Sequence, residues 1–294
     1  MTREAIRHTI ALRQYAAAAA VELPIPPAVM ARMVALMDDP KRDAYKIAEV
    51  VEVDPGLGAD SLRIANSAAF AFRNPVTSIR QAVVALGERL MRELIARRMR
   101  AILGRPELPG YEMLNEGLWR HSIRCAAAAA RLSSRTAVSP GIAYTAGLMA
   151  DIGKLALAQP LRERWDEVRA RLEADADCAF DVLEDELLGA DHAEIGAEMI
   201  RRWTLPPAIV AAVAHHHHPS AAPAKHRAIA NVIHVADLVA MQIGVAAGSD
   251  GLWYRSDERA IAALEITPAI VEGLMCDVES DVAHLEELLS DPSA

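Results

Sequence analysis

Apolar residues in this chain recur at helical spacing from end to end, and nowhere alternate in the two-residue rhythm of a strand. That pattern restricts the fold more than any other feature. "PPAVMARMVALMDD" (26–39) opens with proline and places Val29, Met33, Leu36 and Met37 on one face. "DAYKIAEVVEVD" (43–54) does the same with Ile47, Val50 and Val51, and Asp54-Pro55 then supplies an N-cap and first turn for the next helix. "TSIRQAVVALG" (77–87) carries a Thr or Ser cap and stops at Gly87, and "ERLMRELIARRMRAIL" (88–103) continues as an amphipathic helix. Further helices are expected near 113–135, 140–158, 160–174, 178–189, 192–203, 206–217, 225–244, 255–264 and 267–289. The expected fold class is all-α.

The sharpest break is "GRPELPG" (104–110), which reads as a lobe boundary. It divides the chain into an N-terminal helical lobe (1–103), a second helical lobe (104–245) and C-terminal helices (246–294). "GVAAGSDG" (244–251) reads as a loop and "SDPSA" as a frayed tail. At 294 residues and 52% hydrophobic, the chain has ample material for a core.

A formal net charge of −9 argues against a broad surface for nucleic acid, and "RRMR" (97–100) reads as a solvated helix face. Cys125, Cys178 and Cys276 form no CxxC pair, so neither a disulfide framework nor a thiolate zinc site is expected. No stretch of about 18 residues is apolar enough to span a bilayer, and the N-terminus lacks the apolar core of a signal peptide. A cytoplasmic protein with no membrane partner is expected.

Five polar positions interrupt apolar helices of the second half. They are His121 in "LWRHSIRC", Asp151 in "ADIGK", His192 after an N-cap in "GADHAEIG", the run "HHHH" at 215–218, and Asp237 in "IHVADLVAMQI". A buried carboxylate must be paired, hydrogen-bonded, protonated or bound to a cation. Imidazole and carboxylate are also the ligands that zinc, manganese and iron accept. A helix end or a single satisfied histidine remains the plainer reading of each position alone. Lys154 either snorkels to the surface or contacts a phosphate.

Taken in order, these residues resemble the metal-dependent phosphohydrolases of the HD superfamily. His121 matches the first histidine, Asp151 the aspartate of the His-Asp pair, His192, His216 and His217 the extra histidines of the HD-GYP branch, and Asp237 the closing aspartate. "VDPGL", "RIANS" and "SIRQAVVALG" then narrow the resemblance to the HDOD family, the signalling relatives of the HD-GYP phosphodiesterases, over about Leu23 to Asp237. The resemblance implies a two-lobed fold whose second lobe is an HD-like bundle. It implies a bacterial regulator that binds a signalling protein, or a nucleotide, without catalysis. Ala150 stands where active relatives have histidine, so at most one divalent ion (Zn, Mn or Fe) at a degenerate site is expected, and no activity. A residual phosphohydrolase is the alternative, with Lys154 on the phosphate.

Overall fold

The computed structural model describes residues 27–244 and 254–290, apart from 40, 42, 68, 69, 71, 74, 106, 115, 176 and 177. The N-terminal segment, most of the expected 244–251 loop and all but the first residue of the expected frayed tail lie outside the described residues. The rest is almost entirely helical, and the helices group into two packed lobes.

In the first lobe, α1 (Pro27–Asp38), α2 (Ala44–Glu52), α3 (Pro55–Ala65), α4 (Ile79–Leu86) and α5 (Glu88–Leu103) follow the sequence signals closely. Asp43 caps α2 by accepting from the Lys46 N–H, Asp54 caps α3 from the Gly56 and Leu57 N–H groups, and Ser78 caps α4 from Gln81. Each cap satisfies N–H groups that the helix itself leaves free, and is worth about 1 kcal/mol. Asn66 ties the end of α3 to the next segment. Its amide donates to the Val76 carbonyl and accepts from the Val76 N–H, both at 2.8 Å. Arg97 and Arg98 do not form the solvated face expected of "RRMR". They turn toward Asp60, 3.9 and 3.5 Å away, and the Arg97 side chain is only 19% exposed.

The 104–110 break is a short antiparallel hairpin, β1 (Glu107–Leu108) and β2 (Met113–Leu114), which the helical periodicity did not signal. The expected helix from 113 therefore begins later, as α6 (Gly117–Leu132). α6 packs on α7 (Pro140–Met149), and α13 (Arg227–Ile243) packs on both. The alanine run on α6 permits this. Ala126, Ala127, Ala128 and Ala129 are buried, and an added Cβ at Gly147 of α7 would lie 2.8 Å from the Cys125 carbonyl oxygen. Two backbones approach closely only where side chains are this small.

The expected helix 140–158 is two helices. It breaks after Met149 into a turn over residues 150–153, and α8 (Lys154–Glu163) starts anew. Around the lobe lie α9 (Trp165–Ala174), α10 (Phe180–Leu188), α11 (His192–Arg202) and α12 (Pro207–Ala214). α14 (Glu258–Ala263) follows, and α15 (Pro268–Ser290) lies along α6 and α13. α12 ends before the histidine run, not at 217 as expected. Among the described residues no helix is long and apolar enough to cross a membrane. The cysteines are unpaired.

Candidate metal centre

The turn after α7 carries the central carboxylate. Its backbone closes in i→i+3 bonds, Ile152 N–H to Met149 O at 3.2 Å and Lys154 N–H to Asp151 O at 3.0 Å. Asp151 is thereby aimed from a tight turn, not from a helix face. The turn presses against the start of α11 at Gly153, where a Cβ would lie 1.9 Å from the His192 carbonyl oxygen. Only glycine permits that approach.

Six expected site residues converge here from α6, the turn, α11, the segment after α12, and α13, and all six are buried. Asp151, His192, His216 and His217 each bring one ligand-capable atom within 4.8 Å of the others, and so do His121, Asp151 and Asp237. Asp151 belongs to both groups. Its Oδ1 faces His192 Nε2 at 3.3 Å and His216 Nε2 at 3.6 Å, and its Oδ2 faces His121 Nε2 at 3.3 Å. His121 Nε2 also lies 2.7 Å from Asp237 Oδ1. Of the histidine run, His215 and His218 stay out of the cluster, and His218 instead reaches Asp181 at 2.7 Å.

Lys154 does not snorkel outward. It is buried, donates to Asp151 Oδ2 at 2.9 Å, and sits 5.5 and 5.4 Å from the ring centroids of Tyr111 and Tyr254. Burial would raise the Asp151 pKa, but the Lys154 ammonium, with help from His192, His216 and His121, holds it well below the usual carboxylate range.

Two residues that the sequence did not single out orient the histidines. Glu184, on α10, is fully buried. It accepts from His192 Nδ1–H at 2.6 Å, from the His192 backbone N–H at 2.8 Å and from the Tyr111 hydroxyl at 2.5 Å. Burial pulls His192 down, but the Glu184 and Asp151 carboxylates outweigh it and raise the ring to about 10. His234, on α13, donates from Nδ1 to the His216 carbonyl at 2.7 Å and accepts the Asp257 N–H at 2.8 Å on Nε2. It fixes the histidine run from behind. A glutamate in an acidic-apolar helix and a histidine three positions before an aspartate carry no distinctive sequence signal.

The donor set fits a divalent cation. His216 donates Nδ1–H to the Val213 carbonyl at 2.8 Å, which leaves Nε2 as an acceptor in the neutral ring, and that atom has no hydrogen-bond partner. Asp151 Oδ1, 3.6 Å away, also has none. Two buried, facing electron-pair donors are costly unless a cation lies between them. The two clusters can therefore chelate a divalent metal, as in a degenerate HD-type site. This corrects the expectation of no activity drawn from Ala150. Ala150 is buried at the end of α7, yet both ligand clusters assemble without any contribution from it. Its substitution does not dismantle the centre.

The HDOD domain pattern matches residues 23–219. The chain belongs to the HDOD family. A crystal structure of an HDOD domain protein from Geobacter sulfurreducens is 24% identical, covers 97% of this chain and 98% of its own, and superposes with a TM-score of 0.66. A Marinobacter aquaeolei VT8 protein, assigned by name to signal transduction, is 25% identical with a TM-score of 0.70, over 91% of this chain and 60% of that one. A Shewanella amazonensis SB2B protein, assigned by name to the phosphohydrolases, is 24% identical with a TM-score of 0.62, over 94% and 97%. A Treponema pallidum (strain Nichols) protein is 24% identical over 191 residues, 64% of this chain. The HDOD chain spans only 36% of that relative's length and 60% of the Marinobacter one.

Proposed function

We propose that this HDOD protein is a signal-transduction module whose second lobe binds a divalent metal, and that metal occupancy sets the form it presents to a protein partner. The observation that supports this most is the buried, facing pair of His216 Nε2 and Asp151 Oδ1, neither of which has a hydrogen-bond partner. Asp151, His192, His216 and His217 would hold one ion, and His121 and Asp237, with the second oxygen of Asp151, a second position. The name given to the Marinobacter protein, in signal transduction, agrees with this role.

Metal hydrolysis of a phosphoester is a second reading, favoured by Lys154. A bound ion would supply a Lewis acid and a water of lowered pKa there. The chain's own contribution is the buried ammonium of Lys154, held between two tyrosine rings and poised to take a phosphate oxygen in place of Asp151 Oδ2. Glu184 keeps the His192 Nε2 lone pair aimed inward when Nδ1 carries the proton.

The test is metal content per chain by mass spectrometry of the purified protein and of Asp151→Asn, with release of nitrophenol from bis-nitrophenyl phosphate measured alongside. Bound metal in the natural chain and its loss in Asp151→Asn is the expected result. Metal-dependent turnover lost with Lys154→Met adds the hydrolytic reading. Metal absent from both proteins after loading with zinc or manganese defeats the proposal.

A further inference from the structure

Away from the metal centre, a cleft of about 640 Å³ opens where α5, α6, α7 and α15 meet. Its volume is that of a small-molecule site. Its walls are polarised. Glu93 lies deep, with a side chain 10% exposed, whereas Arg89 and Arg131 stand nearer the mouth at 42% and 37%. Arg131 is already held by Asp281 at 2.7 Å and Asp277 at 2.8 Å. Arg89 stacks on Phe70 at 4.5 Å, contacts His284, and lies 3.7 Å from Glu93 Oε1. Arg92, half-buried, lines the same cleft 6.0 Å from the Tyr144 ring centroid.

The feature that points to a ligand is Glu93 Oε2. It is buried and has no hydrogen-bond partner. Such an oxygen calls for N–H donors. A ligand that fits must bring paired donors to the depth of the cleft and an anion to the arginines at its mouth. Guanine presents N1–H and an N2 amino group side by side, matching the two oxygens of one carboxylate. Adenine offers one donor beside an acceptor. Arginine takes phosphate by charge and planar geometry, and its guanidinium stacks on a flat ring.

We propose that this cleft is a second ligand site that takes a guanine nucleotide, with the base edge on Glu93 and the phosphate on Arg89 and Arg92. Burial raises the Glu93 pKa from 4.5 to about 7, against the pull of Arg89, Arg92 and Arg97, so the carboxylate that accepts from guanine forms fully only above neutral pH. Tyr144, Ser280, Asp281, His284 and Arg131 are the other polar groups on the facing helices. The cleft shares no residue with the metal centre: α6 carries His121 to the latter and Ile123 and Ala127 to the former.

The probe is GMP, titrated calorimetrically into the full chain at about pH 8, with AMP as comparison, each with and without EDTA. GMP should bind at least about tenfold more tightly than AMP, unchanged by EDTA. Glu93→Gln should abolish the preference, and Arg92→Ala should weaken both nucleotides about tenfold while the helical signal is retained. Equal binding of GMP and AMP, no binding of GMP, or loss of binding in EDTA would overturn the proposal. So would a preference surviving in Glu93→Gln; if that variant fails to fold, unchanged affinity in Arg92→Ala is sufficient to overturn it.

Discussion

His192 and His217 point their Nε2 atoms at each other across 2.8 Å inside the second lobe. Two acceptor nitrogens cannot rest so close without a proton or a cation. His217 is held neutral, since burial first and the nearby His216 and His192 next push its pKa well below the ordinary value. In the metal-free chain the proton sits on His192, and that ring also donates to Glu184. An ion bound at this cluster, as proposed, would have to displace that proton, and the pair would then supply two of its ligands.

Removal of metal should therefore be visible in stability. Dialysis against a chelator is expected to lower the melting temperature, and restored zinc or manganese to raise it. With free metal at about 100 times its dissociation constant the gain is about 2.7 kcal/mol. Scanning calorimetry of His217→Ala, in which added metal should give a much smaller shift, checks that the histidine pair is responsible.

Glu184→Gln should weaken metal binding by about 10- to 100-fold, because the amide no longer fixes the His192 tautomer by charge. Tyr111→Phe removes one donor to the same carboxylate and should cost about 1 kcal/mol of stability. Competition with a fluorescent chelator measures the first, and urea unfolding the second. Equal metal affinity in Glu184→Gln and the natural chain would show that Glu184 is merely structural.

Gly153→Ala should be among the most damaging single-methyl changes in the chain. The new Cβ would meet the His192 carbonyl oxygen, which is backbone and cannot swing aside. A loss of more than about 3 kcal/mol in urea unfolding is expected, with metal binding reduced as well, because the turn carrying Asp151 must move.

Glu93 gives a pH dependence of defined sign. Its folded pKa, about 7, exceeds the ordinary 4.5, so the folded state binds more protons between those values and stability falls as pH rises through that window. The cost above about pH 7 is about 3 kcal/mol in the absence of a ligand. Glu93→Gln should therefore unfold at a higher temperature than the natural chain at about pH 8 and show no such gain at about pH 4. A thermal melt series across pH measures this; equal melting temperatures at the alkaline end would contradict the assigned burial cost.

Helix periodicity, the caps at Asp54 and Ser78, and the run of polar residues in apolar surroundings were all legible in the sequence because they are local. So was the ordered set of polar residues His121, Asp151, His192, His216, His217 and Asp237, which the fold brings together. The sequence alone could not weigh Ala150. Its neighbour Asp151 was read on a continuous helix, from which positions 150 and 151 can both point toward one wide site, but the backbone breaks into a turn over 150–153, and the clusters that Asp151 joins need nothing from Ala150. Nor could it find Glu184, His234 or the Glu93 cleft. Each acquires its role from a residue far away in the chain, Glu184 from Tyr111, His234 from Asp257, and Glu93 from helices α6, α7 and α15 folded across it. Local pattern fixes which groups a helix can offer; only the packing of helices against one another decides which of those groups lose water and must find a partner.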